Sequence, residues 1–434
     1  MAWDSSRREF LKAAALTGMG AIAAESAGAL LRGGKQDPVR FGCIGVGGKG
    51  RSDTEDAAEC GKVVAICDVD ENALAAALKV YPNARPFTDY RRMLETMGRE
   101  IEAVTVSTPD HTHGPAAAMA MLMGKHCYCQ KPLTHSIWEA RRMGEIARKM
   151  GVQTQMGNQY TADPRMRRNA YAIRAGALGK VSEVHVWTNR PIWGQGGARP
   201  AAEEAPASLK WDLWLGPAAA RPYAKAYHPF GWRGWWDFGT GALGDMACHT
   251  VNLPYMALDL RDPISVVAES SGNNRESYPS WSIITFEFPA TKKRPAIRLR
   301  WYDGGKTPPA ELLDGAKMEA GGSLIIGERG KLYTPGDYGT NGRWMGGIDP
   351  GNVTFPESPG HMEELVAAIR GGTAPVSNFP DYSGPLTETI LLGNLAVWAD
   401  GKKIEWDSRR MRARNAPEVM PIVHPKFRKG FEVP

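Results

Sequence analysis

A short β-rich run, residues 38–45, ends in the turn Gly45-Val46-Gly47-Gly48-Lys49-Gly50, and helix-compatible sequence follows it. Each glycine meets a separate steric demand. Gly45 permits a tight turn, Gly47 lets the backbone approach a pyrophosphate, and Gly50 lets the helix pack closely. Amides at the helix N-terminus then face the phosphates, with Val46 and Gly48 in the same cradle. Taken alone the pattern is weak, but Val63-Val64-Ala65-Ile66-Cys67-Asp68 reads as a second buried strand ending in an acid. Asp68 is expected to accept hydrogen bonds from adenosine ribose hydroxyls and to repel a 2′-phosphate, which favours NAD over NADP.

Strand and helix signals keep alternating: 101–107 as strand, 113–124 as helix, 126–130 as strand, 136–150 as helix and 152–156 as strand. Alternation of this kind predicts an α/β fold, a doubly wound parallel Rossmann sheet over residues 34–157. Ligands of such sheets bind beyond the carboxyl ends of the strands. Two polar clusters fall there, one running from Ser107, Thr108 and Pro109 through Asp110 to His113, the other being Gln130-Lys131-Pro132. Ser107, Thr108, Pro109, His113, Gln130 and Lys131 are therefore candidates for cofactor contacts.

Upstream lies Ser6-Arg7-Arg8-Glu9-Phe10-Leu11-Lys12, followed by a weakly apolar run at 13–24 and a small-residue stretch, Ala27-Gly28-Ala29. The run is shorter than the roughly 20 residues a bilayer span requires. Residues 1–33 read as a twin-arginine signal, with export to the periplasm, or anchoring that faces it, as the expected destination and the twin-arginine machinery as a partner. That route exports folded proteins, so a nicotinamide cofactor loaded in the cytoplasm would travel with the chain. The six cysteines are expected as buried free thiols. A net charge of +6 without a basic, aromatic-interleaved block gives no reason to expect nucleic acid. No metal site is expected.

At 434 residues the chain exceeds what one core ordinarily supports, so a second domain is predicted over 158–434. Strands at 181–188, 281–288 and 296–302 with glycine- and proline-rich connections suggest a large, mostly antiparallel sheet. Helices at 244–258, 361–370 and 385–399 would pack on it or return to the first domain. Oligomerisation through this sheet is expected. Chemistry concentrates in 227–249, where Asp245 and His249 stand four apart on one helical face. A carboxylate there can orient an imidazole and raise its basicity. Arg233 with Trp232, Trp235 and Trp236 suggests a flat sugar-facing platform bearing a donor fork. Asn158 and His228 are further candidates for substrate contact.

The arrangement resembles the glucose-fructose oxidoreductase/inositol dehydrogenase (Gfo/Idh/MocA) family over essentially everything after the signal. The markers are the Gly45–Gly50 turn, Asp68, Thr108-Pro109-Asp110 with His113, Lys131-Pro132, and Asp245 with His249. The stretch 211–217 and the tail segment Phe427-Arg428-Lys429-Gly430 look like an exported bacterial subgroup. The resemblance implies Lys131, Asp245 and His249 as the catalytic group and bound NAD as the cofactor. It implies hydride transfer between the nicotinamide and a secondary hydroxyl of a sugar, glycoside or polyol. Two alternatives remain open, an NAD-dependent glycoside hydrolase acting through transient C3 oxidation and elimination, and a non-catalytic sugar/NAD sensor. The chain departs from the family at Gln130, where Glu is usual, and at Asp110, where Asn is frequent.

Overall fold

A computed structural model describes residues 37–434, so the twin-arginine segment lies outside the described residues. The first sheet contains β1 (Val39–Ile44), β2 (Gly61–Cys67), β3 (Arg85–Phe87), β4 (Ala103–Val106), β5 (His126–Cys129) and β6 (Thr154–Met156). They run in parallel in the order β3-β2-β1-β4-β5-β6. Helices α1 (Lys49–Cys60), α2 (Glu71–Val80), α3 (Tyr90–Met97), α4 (Asp110–Leu122) and α5 (Ile137–Met150) connect them. The strand order reverses between β1 and β4, which opens a crevice at their carboxyl ends between the glycine turn and Ser107–Asp110. Residues of β4 are buried on both faces, as a central parallel strand requires. α5 follows its sequence signals closely: a Ser136/Glu139 capping box starts it and Gly151 in the left-handed region ends it. β3 is too short, with Pro86 at its centre, to leave a readable run.

The rest of the chain forms α6 (Pro164–Arg174), β7 (Val181–Trp187), α7 (Trp211–Leu215), α8 (Gly241–Thr250), α9 (Asn252–Leu258), β8 (Ser265–Ser270), β9 (Ser282–Phe288) and β10 (Ile297–Tyr302). It continues through β11 (Gly322–Gly327), β12 (Gly330–Pro335), β13 (Arg343–Met345), α10 (His361–Ile369), α11 (Gly384–Trp398), β14 (Ile404–Asp407), β15 (Arg412–Ala413) and α12 (Met420–Val423). Nine of these strands form one sheet, ordered β13-β12-β11-β7-β10-β9-β8-β14-β15, in which only β7 and β10 pair in parallel. The alternation predicted for β9 is present, with Ile284, Phe286 and Phe288 facing the core.

One helix was expected at 244–258, but two form, because Pro254 lacks an N–H and its ring opposes the carbonyl of Thr250, breaking the helix near Val251. α11 is apolar all round and accordingly buried. It touches α5 of the first domain, α8 and the large sheet, so one helix ties the two domains together. α10 returns to the first domain, where Met362, Leu365 and Val366 join Val39, Phe41 and Val63 in a core. All six cysteines are free thiols, and five are buried. No helix among the described residues is long and apolar enough to cross a membrane.

The glycine turn sorts its glycines by role. Gly45 has φ +78°, and a Cβ there would stand 2.6 Å from the Ser107 carbonyl oxygen, while a Cβ on Gly50 would overlap the Gly45 carbonyl. A Cβ on Gly47 would meet only Ala73 Cβ at 3.3 Å and Asp68 Oδ2 at 3.7 Å. Gly50→Ala is therefore predicted to destabilise the domain by about 2–3 kcal/mol. Gly47→Ala should stay within about 1 kcal/mol of wild type and yet weaken NAD binding by about tenfold or more, since Gly47, Ala73 and Asp68 all line the cleft and the added methyl group narrows the backbone's approach to the pyrophosphate. Thermal melts and NAD titrations of the two variants check this. Equal melting temperatures would contradict it.

Candidate active site

A cleft of about 730 Å³ runs along the carboxyl ends of the first sheet. One wall carries the glycine turn, Asp68, Ser107–Asp110, Gln130 and Lys131, and the opposite wall comes from the second domain through Leu213, Trp214, His228, Trp232, Arg233, His249 and Tyr338. α1 opens without a side-chain cap and without an acidic residue in its first turn, so its N-terminal field is available to an anion. The donor set fits a dinucleotide pyrophosphate.

Asp68 closes β2 and also braces the turn. Its Oδ2 accepts from the amides of Val46 at 2.9 Å and Gly47 at 3.1 Å, and Oδ1 accepts from Asp70 N at 2.9 Å. A carboxylate has about four acceptor sites, which leaves one for a ribose hydroxyl. Burial raises the Asp68 pKa, and the three amides oppose that rise.

Sequence reasoning missed Asp53, on the first turns of α1. Its fully buried carboxylate accepts from Gln130 Nε2 at 3.1 and 3.0 Å, from Ser107 Oγ at 2.7 Å and from Lys49 Nζ at 2.6 Å. Gln130 Oε1 in turn accepts from the Lys131 amide at 3.2 Å. The departure at Gln130 thus has a local reason: a glutamate would set two carboxylates against each other, whereas the amide donates to one and supports Lys131 with the other end. Ser107 and Gln130 reach the cleft through this network. His113, 1% exposed, sets its two ring nitrogens 2.8 Å from the carbonyls of Pro132 and Thr108 and so staples the two polar loops together. Its signal was position alone; the stapling needed the fold.

The charged centre lies across the domain boundary. Lys131 Nζ donates to Asp245 Oδ1 at 2.6 Å and to the Asp245 carbonyl at 2.7 Å. The Arg233 guanidinium lies 3.0 Å from the same Oδ1 and 3.6 Å from Asp110 Oδ1, while Asp110 Oδ2 accepts from Thr240 Oγ1 at 2.6 Å. Although burial acts in the opposite direction, Lys131 and Arg233 hold the Asp245 carboxyl well below the usual carboxylate range. The hydrogen bond expected between the His249 imidazole and the Asp245 carboxylate does not form, and the carboxylate is turned instead to two cations, both at Oδ1. His249 stands alongside with its Nδ1 buried and unpartnered. Burial, followed by the Lys131 charge, pushes its pKa down to about 3, with Asp245 acting the other way. The imidazole is therefore neutral at ordinary pH, and its ring lines the cleft.

Four proposed substrate contacts need correction. Trp235 packs edge-on against Tyr227 at 5.2 Å and donates to Ala226 O at 3.2 Å, and Trp236 lies 3.8 Å from Tyr278 and 5.0 Å from Trp398. Both are core rather than platform, since their large apolar surfaces are better satisfied inside than on a wet wall. Asn158 is fully buried, accepting from Ser377 Oγ, and does not line the cleft. His228 does line it, but at the other end, where Asp68 and Asp70 act on it while burial lowers its pKa. Arg233 reaches the cleft beside Trp232, whose ring lies 4.3 Å from its guanidinium, though its charge is engaged by Asp245 and Asp110. Trp232, the third tryptophan of the expected platform, does line the cleft, whereas Trp214, Tyr338 and Phe431, which also line it, went unassigned because nothing local in the sequence distinguishes them from core aromatics.

Two family models match the chain, one described as an oxidoreductase family NAD-binding Rossmann fold over residues 39–158, the other as an oxidoreductase family C-terminal alpha/beta domain over 179–433. Among curated proteins, the chain is 27% identical over 140 residues to D-apiose dehydrogenase of Paraburkholderia graminis, covering 32% of this chain and 34% of that protein. It is 34% identical over 160 residues to glycosyl hydrolase family 109 protein 2 of Shewanella sp. strain ANA-3, covering 31% and 35%. The matches thus span about a third of those relatives. Among solved structures, WlbA dehydrogenase from Bordetella pertussis, in complex with NADH and UDP-GlcNAcA, superimposes with a TM-score of 0.60 at 20% identity, covering 85% of this chain and 99% of that one. That likeness is one of fold. With both of its domains matched, the chain belongs to the Gfo/Idh/MocA oxidoreductase family, and its cofactor is NAD.

Proposed function

We propose that the protein transfers hydride between a secondary hydroxyl of a sugar, glycoside or polyol and a tightly bound NAD. The observation that carries this reading is the pairing, on the cleft wall, of a lysine ammonium with a neutral histidine whose Nδ1 lacks a partner. His249 takes the proton of the substrate hydroxyl. Lys131, fixed by Asp245, donates a hydrogen bond to the same oxygen and stabilises the negative charge that develops there. Asp245 is thus a positioning residue for Lys131, not for His249, and Arg233 fixes Asp245 from the other side. Bound NAD supplies the hydride acceptor for the carbinol hydrogen. Relatives named as dehydrogenases of apiose and inositol support the substrate class.

The proposal extends to export by the twin-arginine route, supported by residues 6–12, and to a homo-oligomer formed through the large sheet, whose outer face carries ion pairs such as Arg298–Glu287 at 2.9 Å. Because free NAD is scarce outside the cytoplasm, the cofactor would be reset by reducing a second carbohydrate. The glycosyl hydrolase relative keeps a second reading in view, oxidation at C3 followed by elimination.

Lys131→Ala and His249→Ala are predicted to retain bound NAD and to lose sugar-dependent reduction at 340 nm by about 10²-fold or more. Asp245→Asn should be as damaging as Lys131→Ala, because it leaves the half-buried Lys131 without its counter-charge and Arg233 with only the longer contact to Asp110. Near-normal turnover in both alanine variants would remove this site from consideration.

The pH profile carries its own test. A histidine with its folded pKa depressed to about 3 keeps its neutral, proton-accepting form as pH falls through the ordinary value of 6.5. No loss of kcat/KM centred near 6.5 should therefore arise from His249. An acid limb near 6.5 that disappears in His249→Asn would contradict the assignment.

Turnover of an aryl glycoside in heavy water separates the two reactions. Simple oxidation leaves C2 unlabelled and releases no aglycone, whereas elimination must exchange the C2 proton and free the aglycone with no net change in NAD. Deuterium at C2 together with aglycone release, both dependent on bound NAD, would replace the dehydrogenase reading by the hydrolase one.

A further inference from the structure

Two sequence segments remote from the reacting centre, 211–217 and Phe427–Gly430, are brought together by the fold. Arg428 Nη2 donates to Asp212 Oδ1 at 2.7 Å, and the Arg428 amide donates to Pro217 O at 3.1 Å. Both segments reach the cleft. Leu213 and Trp214 of α7 line it from one side and Phe431 of the tail lines it from another, beside Thr88, Asp89 and Tyr90.

The location follows from the backbone. Asp68 N donates to Phe87 O at 3.1 Å, so Thr88–Tyr90 stand next to the acid that marks the ribose. The chain entering α7 is joined to the same end: Lys210 N donates to Val69 O at 2.9 Å, Glu71 N donates to Ser208 O at 3.0 Å, and Lys210 pairs with Glu71 at 2.6 Å. With the pyrophosphate at the glycine turn and the ribose at Asp68, the adenine lies toward this end. Phe431 is held there firmly. It is 5% exposed, with the Arg91 guanidinium 4.1 Å and that of Arg428 5.7 Å from its ring centroid. Arg91 is itself anchored by three bonds to the Asp89 carboxylate, at 2.8, 3.1 and 2.6 Å, and by one to Gly430 O at 3.3 Å.

We propose that residues 211–217 and 427–431 form a clasp over the adenosine end of the cleft, with Phe431 walling the adenine pocket, so that NAD stays bound through turnover instead of exchanging with solvent. The inference rests on NAD occupying the cleft and is independent of which carbohydrate reacts. The Arg428–Asp212 pair is exposed on the aspartate side and contributes little alone. The pinned phenylalanine carries most of the effect, and Arg428 joins tail to strap.

The test is the dissociation rate of NADH from the full-length protein, read as loss of bound-NADH fluorescence on chasing with excess NAD. Phe431→Ala is expected to release NADH roughly tenfold faster. Arg428→Asp should speed release about threefold, with the reciprocal exchange Arg428→Asp/Asp212→Arg returning it toward wild type. Wild-type release from a Phe431→Ala protein that melts like wild type overturns the clasp. Should Phe431→Ala fail to fold, the charge exchange decides: rescue supports the clasp and an unchanged rate in Arg428→Asp overturns it. A wild-type protein that binds no NADH overturns the NAD site and the clasp together, which distinguishes the two failures.

Discussion

Lys131 and Asp245 come from different domains, and their 2.6 Å ion pair sets how the two walls of the cleft face each other. Desolvating two such charges is unfavourable, and breaking a buried pair by removing one partner costs about 3–5 kcal/mol, so the contact tolerates little rearrangement. Arg233 and Asp110 extend it to two cations and two anions, with Thr240 satisfying the remaining oxygen of Asp110. Within this near-neutral set the lysine is oriented and its counter-ion kept ionised. The histidine beside it is left neutral by burial and by the lysine charge.

A second buried network supports the first from below. Asp53 holds Gln130, Gln130 holds the Lys131 amide, and His113 clips the Pro132 carbonyl to Thr108. The loops that present the lysine are thereby fixed by side chains that are almost wholly inside. Buried polar networks of this kind specify one arrangement because each unsatisfied member would be expensive. The fully buried Asp53 thus reaches the lysine loop only through Gln130.

Where sequence reasoning succeeded, the signal was local and periodic. The glycine turn, the acid closing β2 and the alternation of strand and helix reflect constraints within a few residues of each position. Where it failed, the deciding partner was far away in the chain. Asp245 and His249 share a helical face, yet Lys131, more than a hundred residues earlier, outbids the imidazole for the carboxylate. Trp235 and Trp236 looked like a platform because they adjoin Arg233, but successive residues there point to different surroundings, and Tyr227, Tyr278 and Trp398 enclose them. The split of the helix at 244–258 was legible in Pro254, and the periodic pattern around it masked the break.

The sequence by itself determined a parallel nucleotide-binding sheet with an acid closing its second strand and a largely antiparallel second domain, because glycine sterics and hydrophobic period act at short range, whereas the grouping of Lys131 with Asp245 and His249 came from the resemblance to the family. Only the tertiary structure decided which charges pair, which aromatics face the ligand, and that a segment near residue 212 and a tail near residue 428 meet at the cofactor's edge. Pairing of charges and burial of rings are settled by whichever distant group arrives in the same low-dielectric space, and the chain order carries no record of that arrival.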